Sequence, residues 1–197
     1  MLRKLMLAGV ILVLVSATAS ADSYKIDRSH SSVGFAVSHL GLGKVRGEFR
    51  DFTGVIDYDT GDISKSKVEA TIQMASIDTR DSSRDAHLKS GDFFSADSFP
   101  TMTFKSTKVT DKGKGKLEIV GDLTLRGTTK PVTLDAEMVG AVDDPWGNKR
   151  MGFSARAKID RMEYGVKWNK LLDAGGFVAG HDVDIQIEIE SVMKKAK

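Results

Sequence analysis

No cysteine occurs among the 197 residues of the sequence. This absence excludes a disulfide framework, a thiolate metal site and a cysteine nucleophile. It also excludes a lipid anchor attached to a cysteine at a cleavage site. The folded chain must therefore depend on an apolar core and on hydrogen-bonded ladders between strands.

A block of like charge is also missing. The first 21 residues contain two of the 29 Lys and Arg residues and none of the 27 Asp and Glu residues, so the remainder has 29 − 2 = 27 of each sign. Its formal net charge is close to zero. A neutral chain without a basic block argues against nucleic acid as a partner.

Long hydrophobic runs are absent except at the start. The run Leu5–Val15 follows two basic residues and precedes Ala19-Ser20-Ala21, which is the pattern of a secretory leader with a small-residue cleavage signal. About eleven apolar residues are too few to cross a bilayer as a helix. We therefore expect a signal peptide over 1–21, one domain over 22–197, no transmembrane span and a periplasmic location.

Alternation of apolar and polar residues dominates the rest of the chain. The clearest case runs from Val183 to Ile189, where every second residue is Val or Ile and the intervening ones are polar. About eight such strands of about ten residues, joined by short Gly and Asp turns, indicate antiparallel neighbours. Ten residues extend about 33 Å, which suits an extended barrel, and eight strands enclose room for side chains or one small ligand.

The predicted fold is all-β, an extended eight-stranded antiparallel, lipocalin-like barrel with one or two short helices. A short helix is expected at about 83–89, capped from within Asp81-Ser82-Ser83. A second helical turn is expected near 169–173, and a kink or bulge near Gly54.

An outer-membrane barrel also alternates with period two. Aromatic residues make up only 7% of the chain, which is too few for two aromatic girdles. The final strand ends in charged residues, and its polar face carries three carboxylates, Asp184, Glu188 and Glu190, that a narrow lumen would have to bury. These features favour a barrel in water.

One stretch, Arg84–Phe104, interrupts the series of strands. It opens with Arg-Asp-Ala-His-Leu and continues with the three phenylalanines Phe93, Phe94 and Phe99. Because loops on a rigid scaffold often carry binding chemistry, this stretch is predicted to form the entrance to whatever the strands enclose.

Several motifs together resemble the YceI-like family of polyisoprenoid-binding, lipocalin-like periplasmic proteins. They are Tyr24-x-Ile26-Asp27 with His30-Ser31, Phe35 and His39; Gly47-Glu-Phe49 with Phe52-x-Gly54; Ser76-Ile77-Asp78-Thr79 leading to Arg84-Asp85-x-His87-Leu88 and Asp92-Phe93-Phe94; Phe99-Pro100 with Thr103-Phe104-Lys105-Ser106; and Gly121-Asp-Leu123-Thr-Leu125-Arg126-Gly127. The resemblance covers essentially the whole chain after the leader. It implies an eight-stranded barrel that holds a long apolar chain, typically an isoprenoid, and it does not imply an enzyme. One departure is Tyr164 before Gly165, where the family commonly has Phe, which puts a hydroxyl near the expected pocket.

The candidate ligand-binding residues are mostly the apolar ones of the alternating faces and the aromatic and basic ones of the interrupting stretch. Each apolar residue has the alternative of simply filling the core, and methionines would add adaptability to a tunnel. The full set is Phe35, Val37, His39, Phe49, Ile72, Met74, Arg80, Arg84, His87, Leu88, Phe93, Phe94, Phe99, Met102, Phe104, Leu123, Leu125, Met138, Phe153, Tyr164 and Trp168.

Basic residues lie close together in the interrupting stretch, at Arg80, Arg84, His87 and Lys89. Such donors suit an anionic head group. The alternative is that Arg84, together with Asp85, fixes the short helix through salt bridges and caps.

Catalytic and metal sites find little support. The four histidines are far apart, without metal-ligand spacing, so no metal and no cofactor is expected. A hydrolase built from Asp27, His30 and Ser31 lacks a nucleophile elbow, and its members are nearly adjacent in sequence. We therefore expect no enzyme.

The predicted function is a periplasmic binding or carrier protein for a long-chain amphipathic lipid, a polyisoprenoid or an isoprenoid quinone. The alternative is a stress-related periplasmic protein with a filled core that acts through a protein partner. A homodimer formed through sheet edges or loops is compatible with either function.

Overall fold

A computed structural model describes residues 21–173 and 175–193. The predicted signal peptide therefore lies outside the described residues, apart from Ala21. The strands are β1 (Asp22–Ile26), β2 (Ser32–His39), β3 (Gly43–Phe49), β4 (Phe52–Tyr58), β5 (Lys67–Gln73), β6 (Ile77–Asp78), β7 (Thr101–Gly113), β8 (Lys116–Leu125), β9 (Thr128–Asp143), β10 (Lys149–Asp160) and β11 (Ala179–Met193).

The strands form one closed antiparallel sheet. Strand β11 pairs with β10 on one side and with both β1 and β2 on the other. β1 and β2 therefore act as one barrel strand, and the same holds for β3 with β4 and for β5 with β6. Eleven segments less three such mergers give eight, which confirms the predicted eight-stranded barrel.

The three interruptions lie next to one another in the barrel wall. The β3–β4 break at residues 50–51 faces the short 3₁₀ turn of the third merged strand, since Arg50 N donates to Ser76 O and Gln73 N to Asp51 O, at 3.1 and 2.9 Å. In the first merged strand, Arg28 donates to the Asp51 carboxylate at 2.7 Å. The three interruptions therefore form one connected irregular region of the wall.

The predicted kink at Gly54 is wrong, because Gly54 pairs regularly with Ala70. A Cβ at Gly54 would lie 2.6 Å from Ile26 Cδ1 and 2.7 Å from Glu69 O. This glycine is needed for close packing rather than for a bend.

The described chain has one α-helix, α1 (Ser82–Lys89), and 3₁₀ turns at Arg28–His30, Ile63–Lys65, Met74–Ser76 and Arg161–Tyr164. Asp81 caps α1 by accepting from Arg84 N at 3.0 Å, as predicted. The helical turn expected near 169–173 is wrong, since this segment is irregular and an isolated bridge joins Leu171 to Phe177. Within the described chain, no helix has the length and apolar character needed to cross a membrane.

Four connections lie at one end of the barrel, which we call the mouth end: residues 40–42, 79–100, 126–127 and 161–178. The connections 59–66, 114–115 and 144–148 lie at the opposite, far end. Three tight turns, Leu40-Gly41, Lys114-Gly115 and Arg126-Gly127, have positive φ at both residues, the geometry of hairpin turns that match the twist of the sheet.

An ion cluster joins four parts of the chain at the far end. Arg150 donates to Asp144 and Asp27, both at 2.9 Å, and also to Glu190. These contacts connect β10 to the end of β1, to the 144–148 turn and to β11. Hydrogen bonds from Ser29, and then from Arg150 and His30, lower the pKa of Asp27.

Gly121 provides a test of close packing within the sheet. A Cβ at this position would overlap Phe104 Cζ and lie 2.7 Å from Lys105 O. We therefore expect Gly121→Ala to lower the free energy of unfolding by about 1–3 kcal/mol, measured by denaturant titration. Gly140→Ala is the matched control, because nothing lies within 4 Å of a Cβ there. Equal losses in the two variants would contradict the packing argument.

The Asp144 carboxyl predicts an acid-dependent loss of stability. Its burial raises the pKa, but hydrogen bonds from Asn148, Arg150 and Trp146 outweigh this and hold the pKa at about 2, below the ordinary 3.8. A lowered pKa stabilises the fold above about pH 4, and this contribution is lost as the pH falls towards 2.

We expect Asp144→Asn to be less stable than the parent at pH 7 and to lose less stability between pH 4 and pH 2. The exposed neighbour Asp143, changed to Asn, is the control. Denaturant titrations at several pH values measure both effects, and an Asp144→Asn variant with the parent's full acid dependence would contradict the assignment.

Candidate functional site

The barrel encloses a cavity of about 420 Å³. Its walls are nearly all apolar, and inward residues of β7, β8 and β9, such as Phe104, Ile119 and Leu134, are buried. Inward residues of β2 and β11, such as Phe35 and Ile187, also line the cavity but are only half-buried. Many of the less buried lining residues therefore belong to β2 and β11.

Polar side chains of the lining are concentrated at the mouth end. His39, Arg84, His87 and Arg161 line the cavity there. His39 is exposed, so the cavity reaches the surface at this end. The described lining contains no Asp or Glu. Two carboxylates outside the lining nevertheless pair with its basic residues, Asp92 with His87 at 2.9 Å and Asp81 with Arg84 at 4.0 Å.

Aromatic rings surround the opening in two groups. His87, Phe93 and Trp168 contact one another with ring centroids 5.0–5.1 Å apart. In the second group, Phe49 lies 5.7 Å from Phe35 and 6.3 Å from Phe94. Such contacts stabilise rigid, mostly apolar surfaces, so helix α1 and the 161–178 loop close part of the barrel end with rings.

Arg84 and Asp85 both fix Thr79, the residue at which the chain leaves the barrel wall. Asp85 accepts from Thr79 N and Oγ1 at 2.8 and 2.6 Å. Arg84 donates from Nε to Thr79 Oγ1 at 2.7 Å and from a terminal nitrogen to Thr79 O at 2.8 Å. The structural role considered for this pair is therefore observed, while Arg84 also borders the cavity.

Arg161 is a buried cation, 5% exposed, whose donors go to backbone carbonyls. It donates to Gly180 O and Val166 O at 2.8 and 2.6 Å, and to Trp168 O and Ala179 O at 2.9 and 3.3 Å. Burial lowers the pKa of its guanidinium. The side chain thus holds the 161–178 loop against the start of β11.

Arg126 connects the remaining mouth loops. From the tip of the β8–β9 turn it donates to Gly91 O at 2.9 Å, to Ser95 Oγ at 3.2 Å and to Gly165 O. The helical segment and the 161–178 loop are therefore held together by one guanidinium.

Sixteen of the 21 candidate residues line the cavity. The other five do not, each for a physical reason. Met74 and Tyr164, 1% and 2% exposed, are packed in the core. Arg80 is exposed, Phe99 packs on Gly127, and Met138 lies inward near the far end, against the core. The Tyr164 hydroxyl is consequently not part of the cavity surface, contrary to expectation.

The sequence reasoning missed two kinds of lining residue. Alternation predicted which residues of β9 and β11 point inward, including Val132 and Ile187. It could not predict which inward residues border the cavity and which are packed in the core. Arg161 was missed altogether, because nothing in the sequence distinguishes it from an exposed arginine.

The residues near Asp27 do not have the arrangement of a hydrolytic triad. Ser29 Oγ donates to Asp27 at 2.6 Å, and His30 Nδ1 lies 3.1 Å from that hydroxyl and 3.0 Å from the same carboxylate. One ring nitrogen therefore faces both partners, whereas a triad uses the two ring nitrogens separately. Asp27, His30 and Glu190 are also close enough to share a cation, but the Arg150 guanidinium already contacts both carboxylates.

Comparison with known proteins gives consistent matches. Residues 24–191 match the profile of the YceI-like domain. Protein YceI from Shigella flexneri is 42% identical over 186 residues, which cover 93% of this chain and 94% of that protein.

Two solved structures share the fold. The crystal structure of the YceI protein from Campylobacter jejuni has a TM-score of 0.70 at 33% identity and covers 80% of this chain and 90% of that one. A polyisoprenoid-binding domain from Saccharophagus degradans has a TM-score of 0.61 at 14% identity and covers 87% and 98%.

The contacts of Asp85 predict a structural effect at the site. Asp85→Ala leaves the N–H and hydroxyl of Thr79, a residue only 4% exposed, without their acceptor. We expect a loss of about 1–3 kcal/mol in the free energy of unfolding, measured by denaturant titration. The exposed Asp97, changed to Ala, is the control, and an Asp85→Ala variant as stable as this control would contradict the role given to Asp85.

Proposed function

Because the chain belongs to the YceI-like family, we propose that it binds one long-chain amphipathic lipid inside the barrel, a polyisoprenoid or an isoprenoid quinone. The observation that carries this proposal is the cavity of about 420 Å³ with almost entirely apolar walls. Its volume lies within the range of about 300–1,000 Å³ that is typical of small-molecule sites.

The physical basis is the transfer of a hydrocarbon chain from water. Each buried CH₂ group contributes about 0.8 kcal/mol, so ten of them supply about 8 kcal/mol. Before the costs of association, this corresponds to a dissociation constant of about 1 μM. A tail of prenyl or quinone type therefore needs no specific polar contact to be held.

The distribution of polar groups along the cavity favours one orientation of the ligand. The tail lies along the β2–β11 wall, and the head lies at the mouth end near His39 and Arg84. Arg84 uses two of its three nitrogens on Thr79, and the third lies 4.0 Å from an Asp81 carboxylate oxygen. An anionic or carbonyl oxygen of the head would contact this third nitrogen in competition with Asp81.

The relatives support the same class of ligand. The Saccharophagus degradans domain with this fold is described as polyisoprenoid-binding. A protein with a filled core that acts through a partner is the alternative, and a cavity of this size argues against it. The enclosed apolar site also favours binding over catalysis.

The proposal also includes a cellular location and a role in lipid transport. The leader pattern at 1–21 supports export to the periplasm, and burial of the tail supports transport of the lipid through water. Under this proposal the barrel shields the tail while the head remains near the surface.

The test fills the cavity without changing its polarity. Ala155 lines the cavity and is 9% exposed, so Ala155→Leu places three additional carbons inside. In a Trp146→Phe background, Trp168 is the only tryptophan and lies in the lining. Titration of delipidated protein with geranylgeraniol should change the Trp168 emission, and Ala155→Leu should weaken binding about tenfold or more.

Thr133→Leu is the matched control, because it adds a leucine to the exposed face of β9. It should bind geranylgeraniol like the parent. Equal affinity of Ala155→Leu and Thr133→Leu, with both variants folded by circular dichroism, would count against the cavity as the binding site.

A further inference from the structure

We propose that the mouth end docks onto the surface of an anionic lipid bilayer through Leu40, Leu42, Leu171 and Phe177, which we call the apolar rim. The inference rests on the proposed function, since it assigns the surface at which a lipid would enter or leave the barrel. It concerns a different part of the molecule from the cavity walls.

The apolar rim is exposed to an unusual degree. Leu42 is 90% exposed and Leu171 is 70% exposed, while Phe177 and Leu40 are 44% and 37% exposed. Single exposed apolar residues are common, but a group of large ones indicates an interaction site.

Backbone hydrogen bonds bring the two rim loops together. Leu40 N donates to Val178 O at 2.9 Å, which joins the β2–β3 turn to the β10–β11 loop. Within that loop, Leu171 and Phe177 form a bridge, and Val178 N donates to Lys170 O at 3.0 Å. The four rim side chains therefore belong to one connected pair of loops beside His39, where the cavity reaches the surface.

The β2–β3 turn has an apolar residue at a position that requires positive φ. Leu40 has φ +55°, a conformation that a branched apolar residue rarely adopts. The other tight turns place charged residues at the equivalent position, Lys114 and Arg126, also with positive φ. A leucine in this strained and partly exposed position is a poor choice for the turn alone, and it indicates a function for the apolar tip.

Charge next to the rim favours an anionic surface. The rim loops and their flanks, residues 39–46 and 165–179, contain Lys44, Arg46, Lys167 and Lys170 but only one acid, Asp173, so their formal charge is 4 − 1 = +3. Lys44 contacts Asp184, whereas the other three have no carboxylate within 4.0 Å in the described chain. Apolar tips flanked by lysines are typical of interfacial membrane contact.

A second exposed apolar group at the far end provides the contrast. Val139, Val142 and Trp146 are 70%, 65% and 78% exposed. Residues 139–148 around them contain Asp143 and Asp144 and no basic residue. This group lacks both the positive charge and the connection to the cavity opening, so it serves as an internal control.

The experiment measures binding of the 22–197 chain to vesicles by flotation. The vesicles are either phosphatidylethanolamine with phosphatidylglycerol or phosphatidylcholine alone. We expect binding to the anionic vesicles, weakened by salt, and a loss of about tenfold or more in Leu42→Ser/Leu171→Ser. Both side chains are exposed, so the variant should fold. Val139→Ser/Val142→Ser should bind like the parent.

The proposal is overturned if the parent does not float with anionic vesicles, or if the rim variant and the far-end variant bind equally. It is also overturned if sedimentation shows that the rim variant abolishes self-association instead, because the rim would then be covered by a second copy of the chain.

Geranylgeraniol binding, measured on the same samples, distinguishes failure of the docking surface from failure of the proposed function. Rim variants that retain the parent's affinity for geranylgeraniol but lose vesicle binding support both proposals. A parent that binds geranylgeraniol but ignores vesicles overturns only the docking surface.

Discussion

Closure of the sheet is the constraint on which the rest of the structure depends. β11 completes the ring by pairing with β10 on one side and with two separate segments, β1 and β2, on the other. A closed sheet has no free edge along its ring, and its interior must be filled by side chains or by a ligand. The irregular region of the wall and the Arg150 cluster both lie where interrupted strands must still meet their neighbours.

Side chains fill the interior on one side of the barrel and leave open space on the other. On the side of β7, β8 and β9 the inward side chains are buried against one another, whereas along β2 and β11 they border open space. The polar groups of the lining are concentrated at one end, where Arg84, Arg126 and Arg161 also hold the mouth loops in place. An apolar interior with one polar end is the feature on which the proposed amphipathic ligand depends.

Much of this could be predicted from the sequence, because period-two alternation determines which face of a strand points inward. The barrel, helix α1 and the capping role of Asp81 followed from local patterns. The interruptions at residues 50–51 and 74–76 did not, since they depend on pairing between distant strands. The sequence also could not predict that Met74, Phe99 and Tyr164 lie outside the cavity lining. Alternation distinguishes inward from outward residues, but it does not distinguish residues that border the cavity from residues packed in the core. Arg161 required the tertiary structure, since its partners are backbone carbonyls.

The most direct test of the lipid-binding account is mass spectrometry of organic extracts from the protein purified under native conditions. The account predicts a prenyl or quinone species in about one-to-one ratio with the protein, released on denaturation. An extract without such a species, from a folded protein that also takes up no added isoprenoid, would contradict it.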